Sequence, residues 1–266
     1  MTDATPRVLL ALDGAVATIT LNRPDQMNAL DLPSLLELER AIAKVAGDSD
    51  VRCVVVTGNG RAFCAGADVK EWASTEPGAA EQEPTEDWVT VSHRIMARLY
   101  RLPKPVIAAV NGVAVGAGLD LALACDFRVA ADLARFGSVY VRIGIPPDAG
   151  ASYFLPRIVG VTTAKELIYT GRIIDAGEAE RIGLVSRVVP AAELAAHVQG
   201  FAAELASGPT VAIGMAKENI QEHGTSSIES ALRSEQRAER YCETTADHVE
   251  GLAAVNEKRP PHFEGR

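Results

Sequence analysis

An α/β core with a helical C-terminal region is the fold class this sequence predicts, and three observations predict it. Short β-branched runs alternate with segments of helical periodicity through the first two thirds of the chain. Glycine-containing turns, Asp13-Gly14, Gly58-Asn59-Gly60 and Asn111-Gly112, punctuate that alternation. After Gly160 the composition turns helical, with residues 184–189 as the one further strand.

Taken in order, residues 7–12 and 15–21 flank Asp13-Gly14 as a hairpin. Asp31 and Pro33 announce a helix with Asp31 as its N-cap. Leu35, Leu38, Ile42 and Val45 follow at helical spacing and define its buried face, and Gly47 closes it. Residues 51–57, VRCVVVT, read as a buried strand. The small residues in 61–68, RAFCAGAD, suit close approach of backbone to a ligand, or equally a tight turn under a helix. Residues 74–87 hold five acids, two prolines and no base, and read as a mobile loop. A helix resumes at Trp88, where Val89, His93, Met96 and Tyr100 share a face, so His93 is expected to point with the core residues.

Residues 105–126, PVIAAVNGVAVGAGLDLALACD, form the centre of the chain. A strand over 106–110 meets the Asn111-Gly112 turn, and Gly116-Ala117-Gly118 then feeds a helix. First-turn amides of such a helix lack intrahelical partners and can hold an anion or a polarised carbonyl. The bland alternative is a close helix–sheet contact that needs small residues. The spacing is not the dinucleotide fingerprint, because the third glycine is missing. A strand follows over 127–131. The order strand–turn–strand–helix recurs weakly around 8–46, 51–72 and 106–124. Pro146-Pro147 forces extended backbone, and Asp148 precedes a short helix expected near Ala149, as a plain N-cap or a functional carboxylate. Helices are expected over 163–170, 176–182, 191–207, 211–222, 227–244 and 246–256. The break at Ser207-Gly208-Pro209 divides a core at 1–205 from a helical region at 206–266.

The totals restrict function. A net charge of −9 argues against a general nucleic-acid binder. No run of about 18 apolar residues is present, so no membrane span is expected. The start, MTDATPRVLL, has no export pattern. Cys53, Cys64, Cys125 and Cys242 form no CxxC, so no metal site is expected and a reduced cytoplasmic setting is.

Four pieces together resemble the crotonase superfamily, also called enoyl-CoA hydratase/isomerase. They are NRPDQMNAL, VVVTGNGRAFCAGADVKE, PVIAAVNGVAVGAGLDLALACDFRVAAD and IGIPPDAGASYFLPRIVGVTTAKEL with GLVSRVV after it. Their order and spacing carry the resemblance over almost the whole chain. It implies a spiral of ββα units with a C-terminal helical region that builds a homotrimer or a dimer of trimers. It implies an acyl-CoA thioester substrate and no separate cofactor, coenzyme A entering with the substrate. The implied oxyanion donors are the amides of Ala67 and Ala117. The implied coenzyme A contacts are Arg23, Ala65, Asp68, Val69 and Lys70, with Lys258 and Phe263 reaching a neighbouring subunit's ligand.

The chain departs from the family's hydratases at the reacting carboxylates. Those enzymes use two glutamates, and Asp120 and Tyr140 stand at the two positions. Asp148 supplies a different carboxylate, in a loop where isomerases of the family carry an acid. A single carboxylate suits a 1,3-proton shift, and isomerisation is therefore the leading expectation. Hydration with Asp120 is an alternative. A second alternative rests on a local resemblance to 4-chlorobenzoyl-CoA dehalogenase, with Asp148 as nucleophile and His93 activating water. A non-catalytic CoA-ester-binding subunit is the alternative from another class.

Overall fold

The computed structural model describes residues 5–69, 87–222, 224 and 226–266. Lys70 and the acidic segment up to Glu86 lie outside the described residues.

A repeat of paired strands divides the chain between two sheets. The N-terminal hairpin, β1 (Val8–Asp13) and β2 (Val16–Leu21), leads to α1 (Leu32–Gly47). Its loop is Gly14-Ala15, one residue later than the Asp13-Gly14 signal, because Asp13 still pairs with Val16. Then come β3 (Cys53–Gly58) with β4 (Ala62–Cys64), α2 (Trp88–Tyr100), β5 (Val106–Val110) with β6 (Val113–Val115), α3 (Ala117–Leu123), and β7 (Phe127–Ala131) with β8 (Arg135–Gly137). From β3 onward, the first strand of each pair joins a six-stranded sheet, order β1-β2-β3-β5-β7-β10, and the second joins a four-stranded sheet, order β4-β6-β8-β9. All pairings are parallel except β1 with β2 and β8 with β9. This is the ββα spiral that the resemblance implied.

The glycine turns make the step between sheets possible. A methyl on Gly58 would lie 2.2 Å from the Ala62 carbonyl oxygen, and one on Gly112 would lie 2.1 Å from that of Arg61. No side chain fits there, so each pair can bend sharply and the next pair can stack beside it.

Covered on both faces, the large sheet sorts its side chains by the two-residue pleat. Val54, Val56, Val106, Ala108 and Val110 face the main core under α1, α2 and α3. Cys53, Val55, Ile107, Ala109 and Val129 face the other way, against Leu194, Val198, Ala202 and Ala206 of α7 (Leu194–Ser207). On α1, Leu35, Leu38, Ile42 and Val45 are buried as their spacing predicts, and Asp31 caps the helix by accepting from Ser34 N at 2.9 Å.

On α2 the expected face holds at Met96 and in part at Tyr100, but not at Val89 and His93. Val91, Ser92, Ile95, Met96 and Leu99 are buried, whereas His93 is exposed. Ser92 occupies the packed face by donating its hydroxyl to the Val89 carbonyl at 2.9 Å.

After β8 and a 3-10 turn (Val139–Ile143) come α4 (Ala151–Val159), α5 (Val161–Thr170), β9 (Ile174–Asp175), α6 (Ala176–Arg181) and β10 (Arg187–Val189). Following α7, the chain continues through α8 (Thr210–Glu222), α9 (Ile228–Cys242) and α10 (Ala246–Glu257). Arg52, just before β3, ties this part to the core. Its guanidinium donates to Thr210 Oγ1 at 2.9 Å, to the Phe263 carbonyl at 2.8 Å and to the Gly208 carbonyl. Among the described residues, no helix is long and apolar enough to cross a membrane.

Candidate active site

Two main-chain segments meet at the centre of the spiral. One is Ala65–Asp68, after β4. Leu30 N donates to Gly66 O at 2.8 Å, and Asp68 N donates to Leu30 O at 3.0 Å. A trans peptide points its N–H opposite to its carbonyl, so the Ala67 amide is turned away from Leu30. The other segment is the start of α3, where Gly116 caps the helix at φ 55° and Ala117 is the first helical residue. A methyl on Gly66 would sit 3.4 Å from Ala117 N and 2.8 Å from Val115 O, so the two segments abut. Neither the Ala67 nor the Ala117 amide has a backbone acceptor among the described residues. Gly118 lets α3 lie against β4, since a methyl there would come 2.2 Å from Cys64 O.

One turn after Ala117 on α3, Asp120 is fully buried. Its Oδ2 accepts from the Tyr140 hydroxyl at 2.6 Å. Burial pushes the Asp120 carboxyl up to about 7; the Tyr140 hydrogen bond opposes that, and the nearby Asp148 charge adds to it. Burial and the flanking carboxyls raise the Tyr140 phenol well above its ordinary value. Burial raises the Asp148 carboxyl too, against the effects of Tyr140 and His93.

Asp148 is not a helix cap. Gly150, at φ 117°, occupies the N-cap of α4, and the helix begins at Ala151 rather than near Ala149. Phe154 packs so tightly on Gly150 that a methyl there would meet its ring at 2.6 Å. The carboxyl of Asp148 is thus free of a structural duty in the helix. Its Oδ1 is buried without a hydrogen-bond partner, as are Asp120 Oδ1 and Ser138 Oγ. Buried orphans of this kind are rare, and here all three lie within a short reach of sequence around Tyr140 or bear on its phenol. From α2, His93 donates Nε2–H to the Asp148 carbonyl oxygen at 2.5 Å and so fixes the loop, although its ring is otherwise exposed.

The remaining expected contacts divide in two. Arg23 and Asp68 come together: the guanidinium donates to Asp68 Oδ2 at 3.1 and 3.2 Å and lies 3.3 Å from Asp31. Asp31 is also paired with Arg7. Ala65 donates its amide to Met27 O at 3.0 Å, and Val69 is exposed beside this cluster. Lys258 and Phe263 lie elsewhere: Lys258 is the C-cap of α10, and the Phe263 carbonyl accepts from Arg52 just before β3. Phe263 lines a groove of about 410 Å³ between the start of α8 and α10. The pairing of Tyr140 with Asp120 had no signal in the residue pattern, because it depends on the path of the 3-10 turn after β8.

The family model described as enoyl-CoA hydratase/isomerase matches residues 12–266. A short-chain-enoyl-CoA hydratase from Clostridium acetobutylicum is 38% identical, over 95% of both chains. A 1,2-epoxyphenylacetyl-CoA isomerase from Escherichia coli is 35% identical, over 97% of this chain and 98% of its own. The crystal structure of an enoyl-CoA hydratase from Bacillus anthracis superposes with a TM-score of 0.92 at 40% identity, covering 98% of this chain and all of that one. The chain belongs to the enoyl-CoA hydratase/isomerase family and is an acyl-CoA enzyme of that family.

Proposed function

We propose that the enzyme moves a double bond within an acyl-CoA thioester. Asp148 takes a proton from one carbon and returns it two carbons away, and the amides of Ala67 and Ala117 hold the thioester oxygen as it gains charge. The observation that carries this reading is the Asp148 carboxyl, which has a buried, unpartnered oxygen and no cap to form. Its raised pKa suits a group that must both accept and release a proton. The similar protein from Escherichia coli is named an isomerase of an epoxide, so isomerisation of an acyl-CoA ester, though of another bond, is found on a similar chain. The reaction needs no cofactor beyond the coenzyme A of the substrate.

Hydration is a second reading, favoured by the hydratase name of the Clostridium acetobutylicum relative. Against it, the residues at the two glutamate positions are bonded to each other, so the phenol proton is already engaged by Asp120. Dehalogenase-like hydrolysis is weaker, because one ring nitrogen of His93 is committed to the Asp148 carbonyl.

A panel of 2- and 3-enoyl-CoA esters in heavy water, followed by mass spectrometry, separates the reactions. Isomerisation leaves the mass unchanged except for exchanged deuterium, hydration adds one water, and hydrolysis releases free coenzyme A. Asp148→Asn should lower kcat by about 10²–10⁴-fold and leave CoA-ester affinity within a few fold. Full turnover in that variant would sink the reading.

We also propose a homotrimer or dimer of trimers working in the cytoplasm. The support is an apolar face on the C-terminal helices, where Ile228, Leu232, Val249, Leu252 and Val255 are all exposed. In that assembly Lys258 and Phe263 would be available to a neighbour's ligand, and Arg23, Ala65, Asp68, Val69 and Lys70 to the chain's own. All four cysteines are free thiols, as a reducing compartment would keep them.

A further inference from the structure

Resting on the isomerisation reading, which puts the reacting carbons at Asp148, we propose that Phe154 is the end wall of the acyl site and selects short acyl groups. Its ring separates the Asp148 loop from a cavity at the far end of α2. That cavity has a volume of about 430 Å³. Tyr100, Leu102 and Pro103 line it, with Tyr153 from α4 and Lys217 and Gln221 from α8.

Contacts on the ring carry the argument. Gly150, two residues after Asp148, lies against it: a methyl there would meet Phe154 Cε2 at 2.6 Å and Cδ2 at 3.0 Å. The backbone fixes this fold-back, since Tyr153 N and Phe154 N both donate to Gly150 O at 2.9 Å. The same ring meets Tyr100 and Tyr153 edge-on, with centroids 5.3 Å away in each case. Those two tyrosines belong to the cavity wall, so one side chain, 8% exposed, touches both the Asp148 loop and the cavity. The helix α2 runs past both places. His93 holds the Asp148 carbonyl at 2.5 Å, and Tyr100 follows seven residues later, about 10 Å along the axis.

A chain must run about eight extended carbons past the reacting centre to cover that distance, at ~1.25 Å per carbon, and the ring stops it earlier. The wall is stiff. The Tyr100 and Tyr153 hydroxyls lie 3.4 Å apart, the Arg157 guanidinium sits 3.7 Å over the Tyr153 ring, and Gln221 Nε2 donates to Tyr100 O at 2.6 Å. Phe154 is part of the main core, so it cannot swing aside without opening a void. The cavity behind it suits an uncharged tail. Its inner cation, Lys217, is committed to Asp126 at 2.8 Å and to the Lys104 carbonyl at 3.2 Å. Arg101, Glu218 and Glu222, which also line it, are exposed to solvent.

Titration calorimetry with saturated acyl-CoA esters, from butanoyl to dodecanoyl, tests the wall without any turnover. Each methylene that finds apolar contact tightens binding by about fourfold. Wild-type affinity should therefore climb with chain length and stop climbing near octanoyl-CoA. Phe154→Ala should raise the ratio of dodecanoyl to butanoyl affinity by at least about tenfold, because the extra methylenes then enter the cavity. A loss of packing alone would weaken both esters equally and leave that ratio unchanged, which overturns the proposal. Wild-type affinity that keeps climbing through dodecanoyl-CoA overturns it too. Should Phe154→Ala not fold, Phe154→Leu decides, with an expected rise in the ratio of about threefold or more and no rise as the contrary result. The esters carry no double bond, so the two readings fail separately. A 3-enoyl-CoA panel that yields no shifted product removes isomerisation, while the affinity ladder still decides the wall.

Discussion

Burial of a single carboxyl gives this enzyme a pH-dependent stability. Asp120 rises from an ordinary 3.8 to about 7 in the folded chain, chiefly through burial. The folded state therefore binds its proton more tightly than the unfolded state. Its contribution is fully present below pH about 4, falls as pH rises to about 7 and is flat above. Asp120→Asn does not titrate, so it should match the wild type most closely below pH about 4 and be more stable than it above pH about 7. The upper limit of that gain is about 4 kcal/mol. Urea midpoints across this range measure it, and a gap that widens toward low pH would contradict it. The residues concerned were legible individually. Asp148, Asp120 and Tyr140 stood out as departures from the hydratase pattern, but that the last two touch could not be read, since 20 residues and a non-repetitive turn separate them.

Among elements, the contact of α3 with β4 sets where the Ala117 amide sits. Gly118→Ala would drive a methyl into Cys64 O, and backbone on both sides leaves no flexible group to yield. We expect a loss of about 1–3 kcal/mol in stability. If the two amides share the thioester oxygen, kcat should fall more than KM rises. A denaturation curve and steady-state kinetics on one preparation would check both, and unaltered kcat in a destabilised variant would separate the amides from catalysis. At this scale the sequence was informative wherever local chemistry decides. The Asp31 cap, the apolar stripe of α1 and the strands over 106–110 and 127–131 follow from caps and periodicity. It failed on α2, where Ser92 hides a polar side chain on the packed face and His93 left it. At Asp148 it left two readings open, and a glycine with positive φ in the capping position removes the N-cap one.

For the whole molecule, the two-sheet division follows from turns that recur, but the way the C-terminal part is fastened does not. Arg52 reaches the Phe263 carbonyl across 211 residues of sequence, a contact no local pattern announces. The exposed apolar face of α9 and α10 is the proposed subunit interface. Glutamate in place of Leu252 or Val255 should dissociate the assembly at micromolar concentration without unfolding the chain, because both positions are exposed. Sedimentation velocity reads the outcome; a monomeric wild type would remove the interface.

The proposed Ala117 donor is a main-chain amide, which leaves one substitution able to delete it. Ala117 opens α3, the helical position where proline is best accommodated. Ala117→Pro would exchange an amide hydrogen for a ring carbon and keep the helix, as ordinary side-chain replacement cannot. The far-ultraviolet circular dichroism spectrum should be retained while kcat falls by about 10²–10³-fold. An unimpaired proline variant would show that the carbonyl never leaned on that nitrogen.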